Sequence, residues 1–419
     1  MTQEELFASA IGIKSPWFIT SIDLDLKLGV LNIFVDFEKG STFAYTDWST
    51  GEKGSYKAYD TIPKNWRHMN FFQYRCFLHA FIPRVKLDNG KVRQIKASWE
   101  GTSSGFTLLF EAFILQLVKA MPVHQVCQMI GTYDAKLWKL LHSYRKQVLA
   151  QADYSEVENI GMDETAARRG HDYVSLVVDL DEKKTIFVTE GKSNEVVKEF
   201  SQDLIQHKGD PENIKNVSCD MSPAFIKGVE DNLPNADIVF DKFHIIKLIN
   251  KAVDEVRKEE NKSNPILKGS KYLFLKNNEN LTKKQEKQLE KLIMSNANLK
   301  TFKALRIREA FQQIYTHCYD IQTFELLLKQ WYFWATHCRI TQIIEVAKTI
   351  KKHWTGIINW AKKRISNGIL EGFNSIFQAA KGKARGYKKT ETIKTIIYIL
   401  TGKLDFSIVN PFCATHSVL

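Results

Sequence analysis

The chain has 419 residues, of which 44% are hydrophobic and 12% aromatic, as is typical of a packed globular protein and not of a disordered one. Its 59 Lys and Arg residues exceed its 47 Asp and Glu residues, and the resulting net charge of +12 favours nucleic acid as a partner. The six cysteines lack a framework spacing, as expected of free thiols in a reducing compartment. No apolar run reaches the roughly 20 residues of a membrane span, and the N-terminus is acidic where a signal peptide is basic. We therefore expect a soluble, cytoplasmic, bacterial-type protein with no membrane partner.

The first 100 residues are predicted to form a small, mostly β module. Apolar and polar residues alternate with the two-residue period of a strand in residues 23–38, 71–87 and 91–99. Glycine and aspartate turn signals separate these stretches, as expected between the strands of a sheet.

A helical period replaces the strand period after a polar, glycine-containing break at residues 99–105. An apolar helix comes first, then a short helix between Pro122 and Gly131, and then a helix that Asp134 can cap. This spacing over residues 106–148 is similar to that of a helix-turn-helix, whose second helix can lie in the DNA major groove, and equally to that of an ordinary helical hairpin. The outward side chains predicted to contact DNA are Lys136, Lys139, His142 and Arg145.

Residues 157–258 alternate between strand and helix patterns. The predicted order is three strands, a helix, a strand, a helix, a strand and a helix, which indicates a mixed sheet with helices. It does not indicate a doubly wound sheet with a glycine fingerprint. Residues 259–350 show only helical, lysine-rich patterns, so we expect a multidomain α+β protein with an all-helical region.

The charges are distributed unevenly along the chain. Residues 151–241 contain 20 acids and 9 bases, whereas residues 351–403 contain 12 bases and 2 acids. The ordinary interpretation is two solvated faces of unrelated helices. The more specific interpretation is a site where acids hold metal ions and nearby bases hold phosphates.

Two aspartates are predicted at the ends of neighbouring strands in the mixed sheet. Asp163 ends the first strand and Asp220 ends the fourth, so both carboxylates are expected within reach of one divalent ion. An aspartate in such a position is more often a turn or helix-cap residue, and Asp220 also precedes a predicted helix. Asp241 lies at a third strand end, next to His244, and is a rival for the same role.

Glu371 is the third candidate acid. Apolar residues back its predicted helix, and Asn367, Glu371 and Asn374 lie on the polar side of that helix. Gly372 is expected to permit the close approach of another backbone, because glycine inside a helix otherwise costs about 1 kcal/mol. The alternative is a solvent-facing glutamate in a cationic helix. The basic residues that follow, and that are predicted to hold DNA phosphates, are Lys381, Lys383, Arg385, Lys388 and Lys389.

Three carboxylates suit a site for two Mg²⁺ ions, because hard cations take oxygen ligands, and Mn²⁺ is expected to substitute. Two ions about 3.5–4 Å apart can stabilise the attacking and the leaving oxygens of an in-line phosphoryl displacement. No protein nucleophile is then needed.

Over about residues 60–405 the sequence resembles the DDE transposases of bacterial insertion sequences, in the ISL3-type family. The resemblance implies an RNase H-like catalytic core whose metal-binding triad is Asp163, Asp220 and Glu371. Arg168 and Arg169 are further predicted DNA contacts. The motifs that carry the resemblance are Gly161-Met162-Asp163-Glu164-Thr165 with Arg168-Arg169-Gly170-His171, Cys219-Asp220-Met221-Ser222-Pro223-Ala224, Phe240-Asp241-Lys242-Phe243-His244, Trp331-Tyr332-Phe333-Trp334-Ala335-Thr336, Asn367-Gly368-Ile369-Leu370-Glu371-Gly372-Phe373-Asn374 and Ala384-Arg385-Gly386-Tyr387.

The helical region is implied to be an insertion that interrupts this core. In related transposases such insertions contact the transposon ends, and a tryptophan can stack on an unpaired base. Trp331 and Trp334 are candidates for stacking, although a core role is the better prediction. The predicted regions are a β-rich module at 1–100, a helix-turn-helix at 106–148, the first part of the core at 157–258, the insertion at 259–350, the second part of the core with the catalytic helix and basic segment at 351–405, and a tail at 406–419.

The N-terminal module departs from the family pattern, which usually carries zinc-binding Cys-x-x-Cys pairs. Only Cys76, His68 and His79 are candidate ligands here, whereas structural zinc normally needs four. We therefore expect a degenerate zinc-finger-like module that packs without zinc.

The function that the resemblance implies is an active transposase. It would bind terminal inverted repeats in double-stranded DNA, cut with magnesium and join the 3′ ends to target DNA, as a homodimer or larger assembly. The alternative is a non-catalytic DNA-binding regulator or host-adopted derivative that keeps the fold. A stand-alone nuclease such as a junction resolvase is disfavoured by the insertion and the helix-turn-helix. All three acids are present, which favours the enzyme.

Overall fold

The computed structural model of the protein describes residues 2–47, 51, 53–102, 105–168, 172–295, 298–317, 320–365 and 368–415. Two of the predicted DNA contacts, Arg169 and Asn367, lie outside these residues. The chain forms two units, a terminal unit made of Met1–Ala152 with Phe377–Leu419 and a central unit made of Asp153–Ile376.

The terminal unit contains the predicted β module. Helix α1 (Gln3–Ile11), which the sequence pattern did not predict, precedes β1 (Trp17–Asp25), β2 (Val30–Phe37), β3 (Thr42–Thr46), β4 (Lys53–Phe71), β5 (Tyr74–Lys86) and β6 (Val92–Gln94). The strand order is β1-β2-β5-β4-β3, with β6 beside β5. The sheet is mixed, because β2 and β5 are parallel whereas the other pairs are antiparallel.

The three residues considered as zinc ligands take part in the packing of this module. Cys76 is buried in the sheet core, and burial raises the pKa of its thiol to about 11. His68 bonds to the hydroxyl of Thr107 at 2.8 Å, and burial lowers the pKa of His68 to about 4. His79 bonds to the side-chain oxygen of Asn32 at 3.0 Å.

Three helices follow in the predicted order: α2 (Leu108–Ala120), α3 (Val123–Ile130) and α4 (Asp134–Leu149). The side chain of Thr107 caps α2, and Gly131 ends α3 with a left-handed backbone at φ +70°. The inward face of α4 contains Leu137, Leu141 and Tyr144, all fully buried.

The central unit begins with the predicted mixed sheet. Its elements are β7 (Asn159–Ala166), β8 (Tyr173–Asp179), β9 (Lys184–Glu190), α5 (Glu195–Gln206), β10 (Asn216–Cys219), α6 (Pro223–Asn232), β11 (Asp237–Phe240) and α7 (Lys242–Glu260). The strand order is β11-β10-β7-β8-β9. Strands β7, β8 and β9 are antiparallel neighbours, whereas β10 and β11 run parallel to β7. The predicted order of strands and helices is confirmed.

The rest of the central unit is helical, as predicted: α8 (Lys271–Leu275), α9 (Lys283–Ser295), α10 (Lys300–His317), α11 (Ile321–Thr336), α12 (Thr341–Lys352) and α13 (Trp354–Lys363). Trp331 is 3% exposed and donates its indole N–H to the carbonyl of Ile307 at 2.8 Å, so it is a core residue. Trp334 is 38% exposed. In the described part of the chain, no helix has both the length and the apolar character needed to cross a membrane.

Helix α13 lies close against β11 at Gly356. A Cβ atom there would come within 2.5 Å of the Phe240 ring, and Asn359 Nδ2 donates to the carbonyl of Ile238 at 3.0 Å. We expect Gly356→Ala to lower the free energy of unfolding by about 1–3 kcal/mol because the added methyl overpacks this contact. Urea unfolding followed by circular dichroism measures the change.

Gly372→Ala is the matched control. It lies in α14 (Gly368–Lys383), and a Cβ atom there meets no described atom within 4 Å, so the predicted close approach of another backbone is wrong. Alanine should instead raise the free energy of unfolding by up to about 1 kcal/mol through its higher helix propensity. Equal effects of the two substitutions would contradict the packing argument.

The C-terminal segment packs against the helix-turn-helix. Helix α15 (Thr390–Thr401) contacts α4, and α16 (Phe412–Thr415) contacts α2. Asn410 Nδ2 donates to the carbonyl of Leu108 at 2.7 Å and to the hydroxyl of Tyr144 at 2.8 Å. The terminal unit, which begins in the middle of α14, therefore includes part of the segment 351–405 that is predicted to belong to the catalytic core.

Candidate active site

Three aspartates come level with one another in the central sheet. Strands β7, β10 and β11 are parallel neighbours. Continued past their last paired residues, the registers put Asp220 level with Asp163 on one side and with Asp241 on the other. Side chains at one level of a parallel sheet point to the same face. The strand order therefore places the three aspartates on one face of the sheet.

Asp163 lies inside β7 and not at its end, because β7 continues to Ala166 by pairing with β8. The predicted strand end was therefore too early. Oδ1 of Asp163 accepts the backbone N–H of Glu164 at 2.8 Å. Its Oδ2 accepts a hydrogen bond from Nδ2 of Asn374 at 2.7 Å. The carboxylate is thus held from both sides.

Asp241 caps a helix, and Asp220 lies in the turn that precedes one. Oδ1 of Asp220 accepts the backbone N–H of Ser222 at 2.9 Å, in the turn before α6. Oδ1 of Asp241 accepts the N–H of Phe243 at 3.2 Å and so caps α7. Asp241 is only 4% exposed, and its Oδ2 has no hydrogen-bond partner among the described residues. A structural role explains one oxygen of Asp241 and leaves the other unexplained.

Glu371 lies in the first turn of α14 and is exposed. The helix is held at this end by Leu370 and Phe373, which pack against Val178 of the sheet. This arrangement agrees with the predicted helix, in which an apolar side backs a glutamate that points away from it.

The pKa values of the acids indicate mutual repulsion. Burial raises the pKa of Asp163, Asp241 and Glu371 above the usual range for these carboxyl groups. The charges of Asp241 and Asp163 raise the pKa of Glu371 further, whereas His244 lowers it. The charges of Asp220 and Asp241 likewise raise the pKa of Asp163. Asp163 therefore lies within electrostatic range of Asp220, Asp241 and Glu371.

Sequence reasoning missed two neighbours of this site. Burial raises the pKa of Glu164 to about 7, and the charge of Asp220 adds to the shift. The only sequence signal for Glu164 was its position next to Asp163. Asn374 was assigned to DNA, but its amide nitrogen bonds to Asp163. Its spacing of one helical turn from Glu371 was the available signal.

The donor set was tested for its fit to divalent metal ions. In the described part of the chain, no group of three or more His, Cys, Asp or Glu side chains is arranged to hold a metal ion. The chemistry of the donors nevertheless fits a hard cation, since Asp163, Asp220, Asp241 and Glu371 offer only oxygen. A bound cation would also offset their mutual repulsion and give the buried Oδ2 of Asp241 a partner.

The predicted DNA contacts of α4 are only partly exposed. Lys139 is exposed, whereas Lys136 holds its ammonium 4.0 Å from the centre of the Phe106 ring. His142 is half-buried and bonds to the hydroxyl of Thr395 at 2.7 Å. Arg145 is 7% exposed, so its predicted outward orientation is wrong. Its guanidinium donates to the same hydroxyl at 2.9 Å.

The remaining basic candidates are mostly exposed. Arg168 lies 3.4 Å from the carboxylate of Asp172, and Lys381 is half-buried with its ammonium over the Phe377 ring. The basic residues from Lys381 onward belong to the terminal unit together with the helix-turn-helix. The exposed members of this set are Lys383, Arg385, Lys388 and Lys389.

Comparisons with known proteins place the chain in a family. Residues 160–397, which include the three predicted acids, match the ISL3 DDE family model, described as a transposase. Residues 98–145 match the helix-turn-helix domain of transposase family ISL3. The chain is 26% identical over 348 residues to the transposase for insertion sequence element IS1001 of Bordetella parapertussis, covering 80% of this chain and 84% of that protein. It is 23% identical over 378 residues to the transposase for insertion sequence element IS1557 of Mycobacterium tuberculosis, covering 82% of each.

Proposed function

Because the chain belongs to the ISL3 family of transposases, we propose that it binds the terminal inverted repeats of its element and catalyses metal-dependent DNA strand cleavage and strand transfer. The proposal is supported by the register that puts Asp220 level with Asp163 and by the electrostatic effect of Asp163 on Glu371 at the start of α14. The strand order β11-β10-β7-β8-β9, with β10 and β11 parallel to β7, supports an RNase H-like core.

Asp163, Asp220 and Glu371 are the proposed ligands of two Mg²⁺ ions, or of Mn²⁺ in their place. When bound, such ions activate water or a 3′-hydroxyl and stabilise the leaving oxygen of an in-line displacement at phosphorus. The chain itself holds the ligands on rigid elements, two on the sheet and one on a helix backed by the sheet. Asn374 limits rotation of the Asp163 carboxylate by holding its Oδ2.

The DNA is proposed to be bound by the helix-turn-helix and by the basic residues of the terminal unit. Lys139, Lys388 and Lys389 are exposed and suit phosphate contacts. Two transposon ends must be brought together for joining, so we propose that a dimer or larger assembly forms on DNA.

The test is cleavage and joining of a labelled duplex that carries the inverted repeat next to the gene. We expect nicked and joined products with Mg²⁺ or Mn²⁺ and none with EDTA or with a duplex lacking the repeat. A protein that binds this duplex but never cuts it under any metal condition would instead be a DNA-binding regulator.

Asp241→Asn is expected to stabilise the metal-free protein at neutral pH. The buried carboxylate has a raised pKa, so its charged form opposes folding at any pH above its usual range. Asparagine keeps the helix cap and removes the charge, and we expect a gain on the order of 1 kcal/mol. Thermal unfolding at pH 7.5 measures the gain.

The gain from Asp241→Asn should disappear as the pH falls through the usual range for aspartate, because the native carboxyl is then neutral in both states. The matched control is Asp231→Asn at an exposed position of α6. A lower unfolding temperature for Asp241→Asn at neutral pH would contradict the prediction. If Asp241 also faces the metal ions, Mn²⁺ should stabilise this variant less than the unaltered protein.

A further inference from the structure

Helix α4 is one wall of a groove and not a free-standing ridge. The groove has a volume of about 900 Å³, and its other wall is residues 384–392, here named the C-terminal arm. Side chains from both walls line it: Lys139, His142 and Lys146 from α4, and Tyr387, Lys388 and Lys389 from the arm.

Aromatic and polar contacts join the two walls. The ring of Trp138 stacks on His142 at 5.8 Å between centroids and meets the edge of Tyr387 at 6.2 Å. Behind the groove, Arg145 forms an ion pair with Glu391 of the arm. These contacts hold the arm against α4, so the arm is not a loose tail.

The groove is strongly cationic. Lys139, Lys146, Lys388 and Lys389 are all exposed along it. The opposing charge is Asp134, which pairs with His124 at 3.1 Å. Lys146 and Lys389, from opposite walls, both act to lower the pKa of His142, for which burial is the main cause. Positive charge on both walls of a groove concentrates the potential inside it.

The shape of the groove suits the sugar–phosphate backbone of DNA better than its major groove. A recognition helix that enters the major groove, about 12 Å wide, must protrude. Here the open side of α4 faces the arm, and the space between them is a trough lined with lysines. A trough of this kind matches one sugar–phosphate strand, whose charge repeats along its length.

We propose that the groove between α4 and the C-terminal arm binds the sugar–phosphate backbone of one strand of double-stranded DNA. The helix-turn-helix therefore holds DNA jointly with residues from the other end of the chain. The inference rests on the proposed function and specifies the surface through which it contacts DNA.

Equilibrium binding to the repeat-containing duplex in EDTA tests the proposal. We expect the double variant Lys388→Gln with Lys389→Gln to bind at least about tenfold more weakly at about 0.1 M salt. The slope of log affinity against log salt should become shallower by about 1.8, the value for two lost phosphate contacts. The same loss should occur on duplexes of unrelated sequence, because phosphate contacts do not read bases.

The matched control is Lys91→Gln with Lys96→Gln, which removes the same charge from exposed lysines of the β module that do not line the groove. It should change affinity less than about twofold, since charges beyond a Debye length of about 10 Å are screened at 0.1 M salt. Circular dichroism of all variants checks that the helices are retained. Equal losses for the two double variants would overturn the proposal.

A scan of neutral phosphates gives the second measurement. Each duplex carries one neutral methylphosphonate linkage in place of a phosphate. The protein should bind more weakly when that linkage replaces one of a run of a few consecutive phosphates in one strand. The Lys388→Gln, Lys389→Gln variant should be insensitive to that run. If the variant keeps the full sensitivity of the unaltered protein, the lysines do not contact those phosphates and the proposal is wrong.

These outcomes separate the groove from the catalytic proposal. Binding is measured without metal. A protein that binds DNA but does not cut it would therefore contradict the proposed transposition activity, and its binding data would still test whether the groove holds the DNA backbone. A protein that binds no duplex at all would defeat both.

Discussion

Alanine in place of Asp163, Asp220 or Glu371 is expected to reduce metal-dependent cleavage and joining of repeat-ended DNA by at least roughly a thousandfold. Each carboxylate is a proposed ligand of an all-oxygen site, and the two remaining acids, each held on a strand or on a helix, are not expected to replace the missing one. Gel analysis of labelled duplex measures the loss. Binding of the same duplex in EDTA should stay within about twofold, because the acids do not contribute positive charge to DNA binding.

Cysteine at Asp163 gives a sharper form of this experiment. A thiolate is a poor ligand for Mg²⁺ and a better one for softer metals, so Asp163→Cys should be inactive with Mg²⁺ and regain part of its activity with Mn²⁺. Asp231→Cys, at an exposed position of α6, is the control and should behave like the unaltered protein. Full activity of any of the three alanine variants would remove that residue from the proposed triad.

Asn374→Ala is expected to lower the rate of cleavage by about 10–100-fold, the range typical of residues that orient a metal ligand. The side chain holds Oδ2 of Asp163 at 2.7 Å, and its own Oδ1 is buried without a hydrogen-bond partner among the described residues. Without this contact the Asp163 carboxylate can rotate. The apparent metal affinity should therefore fall, and saturating Mn²⁺ should restore part of the rate.

Ser375→Ala is the matched control, because Ser375 is the exposed neighbour of Asn374 on the same helix. Asn374→Asp should be at least as inactive as alanine, since it adds a negative charge next to Asp163. A variant with a lower rate at every metal concentration but an unchanged metal requirement would mean that Asn374 does not act through the metal site.

The local parts of this molecule were predictable from sequence. Strand and helix periods identified the β module, the three helices that follow it and the order of elements in the central sheet, because each pattern lies within a few consecutive residues. Asp220 and Glu371 were assigned correctly to a strand end and to the outward side of a helix. Asp163 and Asp220 come level with each other only through the pairing of β7 with β10, which the periodicity of a single strand does not show.

The errors arose where distant segments meet. β7 extends past Asp163 because β8 pairs with it. Arg145 looked like an outward DNA contact because its partners, Glu391 and Thr395, lie near the other end of the chain. The contact between α15 and α4 was likewise not predicted, because the two helices lie far apart in the sequence.

The terminal unit combines Met1–Ala152 with Phe377–Leu419, and this has a consequence for synthesis. A chain emerges from the ribosome with its N-terminus first, so the helix-turn-helix must wait for partners far along the chain, such as Thr395, which lies 250 residues after Arg145. A product truncated after Glu371 would keep all three acids but lack Glu391, Thr395 and Asn410. We expect such fragments from damaged gene copies to be poor competitors for the ends of an intact element.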